Sequence, residues 1–396
     1  MRILRTPTRV WAVIRKELLE LVRRPGAALS LIFGPLLIMA LFGLGYSGTR
    51  SPFETIIVVP AGSELPRDPA FYERVSRGSA KVVAVMDDVD AARARLDRGE
   101  VLMLVIAPAD ALERLQRGEQ TTVRIETNQL DPVADAISRA IADNLAYELS
   151  AELITAIARA GLDRPELAVI ITRAIAPETV ARPVKAEVQN RAPVPALLLT
   201  FFAPAVLALV LQHLGITVTA LSLVRERSSG AIEILRVAPI STVELLVGKY
   251  IAYAITSLLV AAVILVITTN LLHIPFRGDP LELAILVVLL TFASLGTGLF
   301  ISLWSDSERQ AVQLATLVLL LSVFFSGFVL PVSELRMPVR ALAYALPVTY
   351  AIPAFQQEML RGELPNAIAL GALGAIGLLL FLGSAVRLRR VLRGAG

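Results

Sequence analysis

The sequence predicts a polytopic α-helical membrane protein, with six transmembrane helices and an α/β extracytoplasmic domain inserted after the first. Three observations carry that reading. Of the 396 residues, 55% are hydrophobic and only 18% are charged, a balance more apolar than that of soluble globular chains. Six apolar runs, at 27–46, 197–223, 247–271, 281–304, 310–330 and 366–386, reach the roughly 20 residues a helix needs to cross a bilayer. One long stretch, 47–195, lacks such a run and alternates short strands with helices.

The first span carries no charge from Ala27 to Tyr46. Its apolar core is longer than the 7–15 residues of a secretory h-region and no A-x-A site follows, so it reads as a retained span. In the inserted stretch, TIIVVP (55–60), AKVVAVM (80–86), VLMLVIAP (101–108) and TTVRIET (121–127) have strand composition. Between them, 87–100 and 109–119 read as helices closed by Gly99 and Gly118. Strand, helix, strand in that order favours a βαβ unit. A long helix follows from Asp131 to Ala160, with Pro132 suited to its first turn, then a shorter one up to Ala176. Pro177, Pro183, Pro193 and Pro195 punctuate the return to the membrane.

The second span holds His213 as its only titratable group before Arg225. Lysine and arginine set the orientation. Arg2, Arg5, Arg9, Arg15, Lys16, Arg23 and Arg24 precede the first span, and Arg387, Arg389, Arg390 and Arg393 follow the last. An even number of spans puts both basic ends on one side, which is the cytoplasmic side. The loop at 224–246, with Arg225, Arg227 and Arg236, falls there too.

Several functions are disfavoured by what the chain lacks. It has no cysteine, which removes disulfides, thiolate metal sites and a cysteine nucleophile. Its histidines, His213 and His273, are far apart in sequence and no acidic cluster has metal-ligand spacing, so no metal site is expected. Gly248-Lys249 runs into Tyr250 with Val243 five residues upstream, so no Walker A loop forms there. A formal charge of +4 without interleaved basic and aromatic residues does not suit nucleic acid. The spans hold mild polar groups, among them Gln212, Asn270, Gln310 and Gln313, which suit interhelical glue better than an ion relay.

The 224–246 loop is the most informative stretch. Burying Arg225, Glu226 and Arg227 at mid-bilayer would cost on the order of 8–10 kcal/mol, so they end the second span at the interface. Ser228-Ser229-Gly230 breaks the helix. AIEILRVA then starts a short helix with Ile232 and Leu235 at i, i+3, and Pro239 stops it. Ser241 to Glu244 match the S-x-x-E capping box that opens the third span. An apolar face on a surface helix must bury itself in lipid or in a partner.

This stretch resembles the signature of type-2 ABC exporter permeases, an R-E-R/K-E-x-G-T-x-E-x-L-x-x-x-P cluster followed by E and G-K. The matching positions are Arg225, Glu226, Arg227, Gly230, Glu233, Leu235, Pro239, Glu244, Gly248 and Lys249, with Ser228 in place of an acid and Ala231 in place of Thr. The N-terminal RKELLELVRRPG is similar to the family's amphipathic entry helix (1–24), with Arg15, Lys16 and Glu17 leading to Arg24-Pro25. The stretch 326–352 resembles the family's region before the last span, with Gly327, Pro331, Pro338, Pro347 and Tyr350 matching. The resemblance implies that 331–365 forms re-entrant short helices and that 387–396 is a basic cytoplasmic tail. It implies a bacterial inner-membrane permease that binds no cofactor itself. ATP and Mg would belong to separate ABC ATPase subunits docking on the 224–246 loop and the N-terminal helix. A second permease chain, identical or a sister, would complete the pair, with membrane lipid and a periplasmic adaptor as further partners. The implied work is outward movement of a hydrophobic, drug-like or lipid substrate. The competing readings are a secondary carrier or channel, and a membrane-tethered sensor or scaffold whose working part is 47–195.

Overall fold

The computed structural model describes residues 52–60, 66–110, 114, 117, 119–163, 179, 181–237 and 242–392. The first span, the entry helix, the 109–119 helix and the shorter helix up to Ala176 lie wholly or mostly outside them. The chain divides into two compact units, one over 50–201 and one whose described part runs from Phe202.

The first unit is a five-stranded mixed sheet flanked by helices. Its elements are β1 (Phe53–Val58), α1 (Pro69–Val75), β2 (Ala80–Met86), α2 (Val89–Asp97), β3 (Met103–Ile106), β4 (Thr121–Thr127), α3 (Pro132–Asp163) and β5 (Val184–Asn190). The strand order is β2-β1-β3-β4-β5. β1 pairs parallel with β2 and β3, β3 antiparallel with β4, and β4 parallel with β5. Strand alternation sorts the apolar residues onto two faces. Ile57, Met103, Val105, Val123 and Ile125 pack on one face with Tyr72 of α1 and Ile141, Leu145 and Leu149 of α3. Ile56, Val58 and Leu104 pack on the other with Ala92 and Leu96 of α2. Asp68 and Asp88 cap α1 and α2, accepting from Ala70 N at 3.0 Å and Asp90 N at 2.9 Å. The four expected strands are present, and β5 and α1 are additions to the expectation. β5 occupies the segment read as a proline-punctuated return.

In the sheet, Glu126 is fully buried and accepts from Arg93 Nε at 2.9 Å and Nη2 at 2.6 Å. Arg191 stands 3.6 Å from the same carboxylate. Two cations thus compensate one buried acid, the condition under which such burial is tolerated.

The second unit is helical. α4 (Leu198–Ser228) is followed by the short α5 (Ala231–Val237), α6 (Thr242–Val266) ending in a π-turn at Ile267–Leu271, α7 (Pro280–Trp304) and α8 (Glu308–Phe325). A 3₁₀ turn at Val332–Glu334, α9 (Val339–Tyr344), α10 (Val348–Gln356) with a π-turn at Gln357–Arg361, and α11 (Ala367–Leu392) complete it. Five helices among the described residues are long and apolar enough to cross a membrane. The boundaries refine the expectation at three places. α4 runs on through Arg225–Arg227, α8 stops five residues short of 330, and α11 carries Arg387, Arg389 and Arg390 as helix where a tail was expected.

α7 is the most enclosed of these helices, and small residues let its neighbours approach. Gly298 lies against Thr219 and the Ile216 carbonyl of α4, where a Cβ would collide with both. One turn away, Gly215 of α4 faces Ser294 of α7. Gly377 of α11 admits the Phe292 ring, and Tyr250 of α6 meets Phe292 and Phe381 edge-on at 5.3 and 5.1 Å. Close approach over small residues is how helices associate where lipid removes the hydrophobic drive. Ile251, Ile255, Leu259 and Val263 line one exposed side of α6 at four-residue spacing, as a lipid-facing or chain-facing surface would.

Candidate coupling site

Arg225, Glu226 and Arg227 occupy the last turn of α4, and each reaches a different helix. Arg225 Nε donates to Glu308 Oε2 at 3.2 Å, at the start of α8. Both side chains are exposed, so this pair contributes little by itself. Glu226 accepts from Lys249 Nζ on α6, and Lys249 also donates to Ser222 Oγ at 2.5 Å. Lys249 and Glu226 are only 14% and 23% exposed, which reduces solvent screening of this pair. Arg227 Nη2 donates to the carbonyls of Ser302 and, at 3.0 Å, of Ser305, at the C-terminus of α7. A guanidinium there satisfies orphan carbonyls and meets the negative end of the helix dipole. The backbone N–H of Val224 adds a bond to Ser302 Oγ at 3.2 Å. Three consecutive charged residues therefore tie the end of α4 to α6, α7 and α8.

The chain turns from α4 into α5 at Gly230. Its φ of +73° lies in the left-handed region that costs glycine nothing and most residues 1–2 kcal/mol. Gly230 N bonds Arg227 O at 3.2 Å and Gly230 O accepts from Glu233 N at 3.1 Å, so the turn is hydrogen-bonded on both sides. α5 starts at Ala231, as expected for AIEILRVA, and is described to Val237. Glu233 stands exposed in its first turn and Leu235 falls within it. Ile232 is buried and α5 touches α11. Ile234 and Val237 point outward at 69% and 84% exposure, giving α5 an uncovered apolar side that sequence spacing did not single out. Glu244 lies in the first turn of α6. Pro239 and Ser241, like Arg15, Lys16 and Glu17, lie outside the described residues.

The second set of candidate residues gathers at the other end of α8, about 27 Å away by helical rise over its 18 residues. Gly327 adopts φ +96° in the turn after α8. Pro331, Pro338 and Pro347 are the residues that start the 3₁₀ turn, α9 and α10. Tyr350 of α10 stacks at a tilt on Tyr344 of α9, 6.1 Å between centroids. α10 is buried through Val348, Thr349, Ala351, Ile352, Ala354 and Phe355. Its first N–H, of Val348, is capped by Gln212 Oε1 at 2.9 Å, and Gln212 Nε2 donates to Ser322 Oγ of α8 at 2.7 Å. Gln212 thus acts as interhelical glue, joining α4, α8 and α10 from a fully buried position. Nothing in the sequence indicated which groups it would join.

No cluster of three or more potential ligands is placed to hold a metal among the described residues. The arrangement can bind helices to one another and present a short helix.

Comparison with known proteins agrees with this geometry. The model of the ABC-2 family transporter protein family matches residues 27–386. The chain is similar to the "Probable multidrug ABC transporter permease YbhS" of Escherichia coli, with 25% identity over 92% of each chain. It is similar also to "Probable multidrug ABC transporter permease YbhR" of the same organism, with 23% identity over 89% of this chain and 90% of the other. A shorter match, 29% identical over 38% of this chain and 40% of the relative, is to "Inner membrane transport permease YhhJ". A family model matched over nine-tenths of the chain, together with the similarity to named ABC transporter permeases, places this chain in the ABC-2 transporter family as a transport permease whose ATPase is a separate partner.

Proposed function

We propose that this chain moves a hydrophobic, drug-like or lipid substrate outward across a bacterial inner membrane, driven by ATPase subunits that dock on α5 and the N-terminal segment. ATP and Mg belong to those subunits. The permease works in a pair, as two copies or with a sister chain, and both its termini face the cytoplasm. The sheet unit stands on the opposite side, where a periplasmic adaptor would meet it. The drug-like part of this cargo class is supported by two relatives, both probable multidrug permeases.

The observation that carries the reading is the three-way tie of Arg225, Glu226 and Arg227. α5 follows this clamp after a single turn, so a displacement of α5 is delivered to α4, α6, α7 and α8 together instead of being lost in a slack loop. Energy enters as the differential affinity of nucleotide-bound partners for two arrangements of the permease. Glu233→Lys, on the exposed side of α5, and Gly230→Pro are expected to abolish transport-linked stimulation of the partner ATPase while the chain still inserts. Normal stimulation in both variants would refute docking on α5.

A further inference from the structure

Phe300 and Trp304 stand exposed near the end of α7, their ring centroids 5.9 Å apart. Trp304 is the last residue of that helix. The Arg387 guanidinium of α11 lies over the Trp304 ring, 4.0 Å from its centroid, well inside the distance at which a cation is drawn to an aromatic face. Packing fixes this meeting. Leu303 and Leu388, each the neighbour of one member of the pair, are buried in one apolar core with Leu246 and Leu299.

The position along the chain sets the depth. α11 carries no charge from Ala367 to Val386, and Arg387 is its first ionised group. Mid-bilayer burial of that group would be costly, so this end of α11 meets an interface. Leu378, Leu382 and Val386, all more than half exposed, line α11 at four-residue spacing and lead to Arg390. The stack thus sits where an apolar surface gives way to cations.

Those cations are uncompensated. Arg387, Arg389 and Arg390 are exposed, and none forms an ion pair or a hydrogen bond among the described residues. Arg225 and Arg227, also at this end of the helices, are engaged with Glu308 and with the α7 carbonyls. Asp306, two residues after Trp304, is exposed and pairs with none of the α11 arginines.

We propose that Trp304 and Arg387, with Arg390 beside them, form a binding site for the headgroup of an anionic phospholipid. The ring holds the guanidinium at the interface, and its fork of donors grips phosphate oxygens. Arg390, three residues further along α11, adds a second charge within reach. The acyl chains lie along the line from Leu378 to Val386. Every phospholipid offers a phosphate, so the preference arises from net charge: a choline ammonium is repelled by the spare arginines, and a glycerol headgroup is not. The site needs only that this end of α11 reach an interface, so it is independent of docking on α5.

The chain has two tryptophans, Trp11 and Trp304, so W11F leaves Trp304 as the sole indole reporter. The full-length W11F chain is reconstituted in phosphatidylcholine brominated close to the headgroup, which quenches an indole in contact with lipid. Unbrominated phosphatidylglycerol is then added in rising proportion, with unbrominated phosphatidylcholine as the reference. Phosphatidylglycerol is expected to displace the quencher at least fivefold better than phosphatidylcholine, since each arginine near the surface contributes about fivefold. R387Q should lower that ratio about fivefold, R387K should keep most of it, and added salt should reduce it. R390Q, which leaves the stack intact, should also lower the ratio and serves if R387Q fails to insert. Three results would each overturn the site: no quenching of Trp304, which would mean that protein covers it; equal displacement by the two lipids; or a ratio unchanged in both R387Q and R390Q. Displacement of the lipid by inorganic phosphate at matched ionic strength would make this a soluble-anion site and would also overturn it.

Discussion

Arg227 and Gln212 show how single polar side chains hold helices together where apolar packing is available on every side. Each satisfies helix ends: Arg227 at the carbonyls closing α7, Gln212 at the amide opening α10. Arg227→Ala is expected to cost about 1.5–3 kcal/mol, the range for a hydrogen bond to a charged group. Arg227→Lys should recover only part of it, because an ammonium lacks the planar fork of donors. Gln212→Leu should cost about 1–3 kcal/mol, since it leaves the buried Val348 amide without its acceptor. Thermal unfolding in one detergent ranks the variants, and a stability of Gln212→Leu equal to wild type contradicts the assigned role. The sequence made the charges of Arg225–Arg227 legible as an interface marker, because mid-bilayer burial is too costly. Their partners were not legible, because Lys249, Ser302 and Glu308 are 23, 75 and 83 residues from the groups they meet. The burial of Glu358, in the turn after α10, was equally hidden, since its Oε1 meets the Asp279 N–H 79 residues away.

The membrane helices were readable because a bilayer demands about 20 apolar residues per crossing, a signal that needs no knowledge of neighbours. The sheet was readable where strands are apolar on both faces, as in β1 and β3. β5 escaped because VKAEVQN sits at the sheet edge, with Val184, Ala186 and Val188 alternating with polar residues and prolines nearby. α1 was short enough to pass unnoticed, although Asp68-Pro69 carried a start signal. Helix contacts were less legible still: glycines are visible in α7 and α11, but which ones face a partner is decided by packing. Gly298→Leu should therefore be far more disruptive than Gly371→Leu. A Cβ at 298 meets Thr219 and the Ile216 backbone, whereas one at 371 meets open space. We expect loss of at least 2 kcal/mol for the first, within or above the usual range for overpacking, and little change for the second. Equal melting temperatures for the pair contradict the α4–α7 crossing.

The two units of the molecule differ in construction. The sheet unit has apolar cores on both faces and a compensated buried acid. We expect residues 50–197 to fold alone and to melt cooperatively, as followed by circular dichroism. That fragment is expected to neither transport nor stimulate an ATPase. The helical unit has its charged clamp at one end of α7 and the Asp279 amide, held by Glu358 Oε1, at the other, about 37 Å apart by helical rise over 25 residues. Among the described residues, the bundle offers helix-to-helix contacts within that span without a chain of ionisable groups. This is the construction of a driven permease whose power comes from a partner. The direct measurement is cargo accumulation in sealed vesicles holding the full chain, with and without its ATPase partner and ATP. Uphill accumulation is expected only when the partner and ATP are both present. Uphill accumulation by the chain alone, following an ion gradient, would contradict the account.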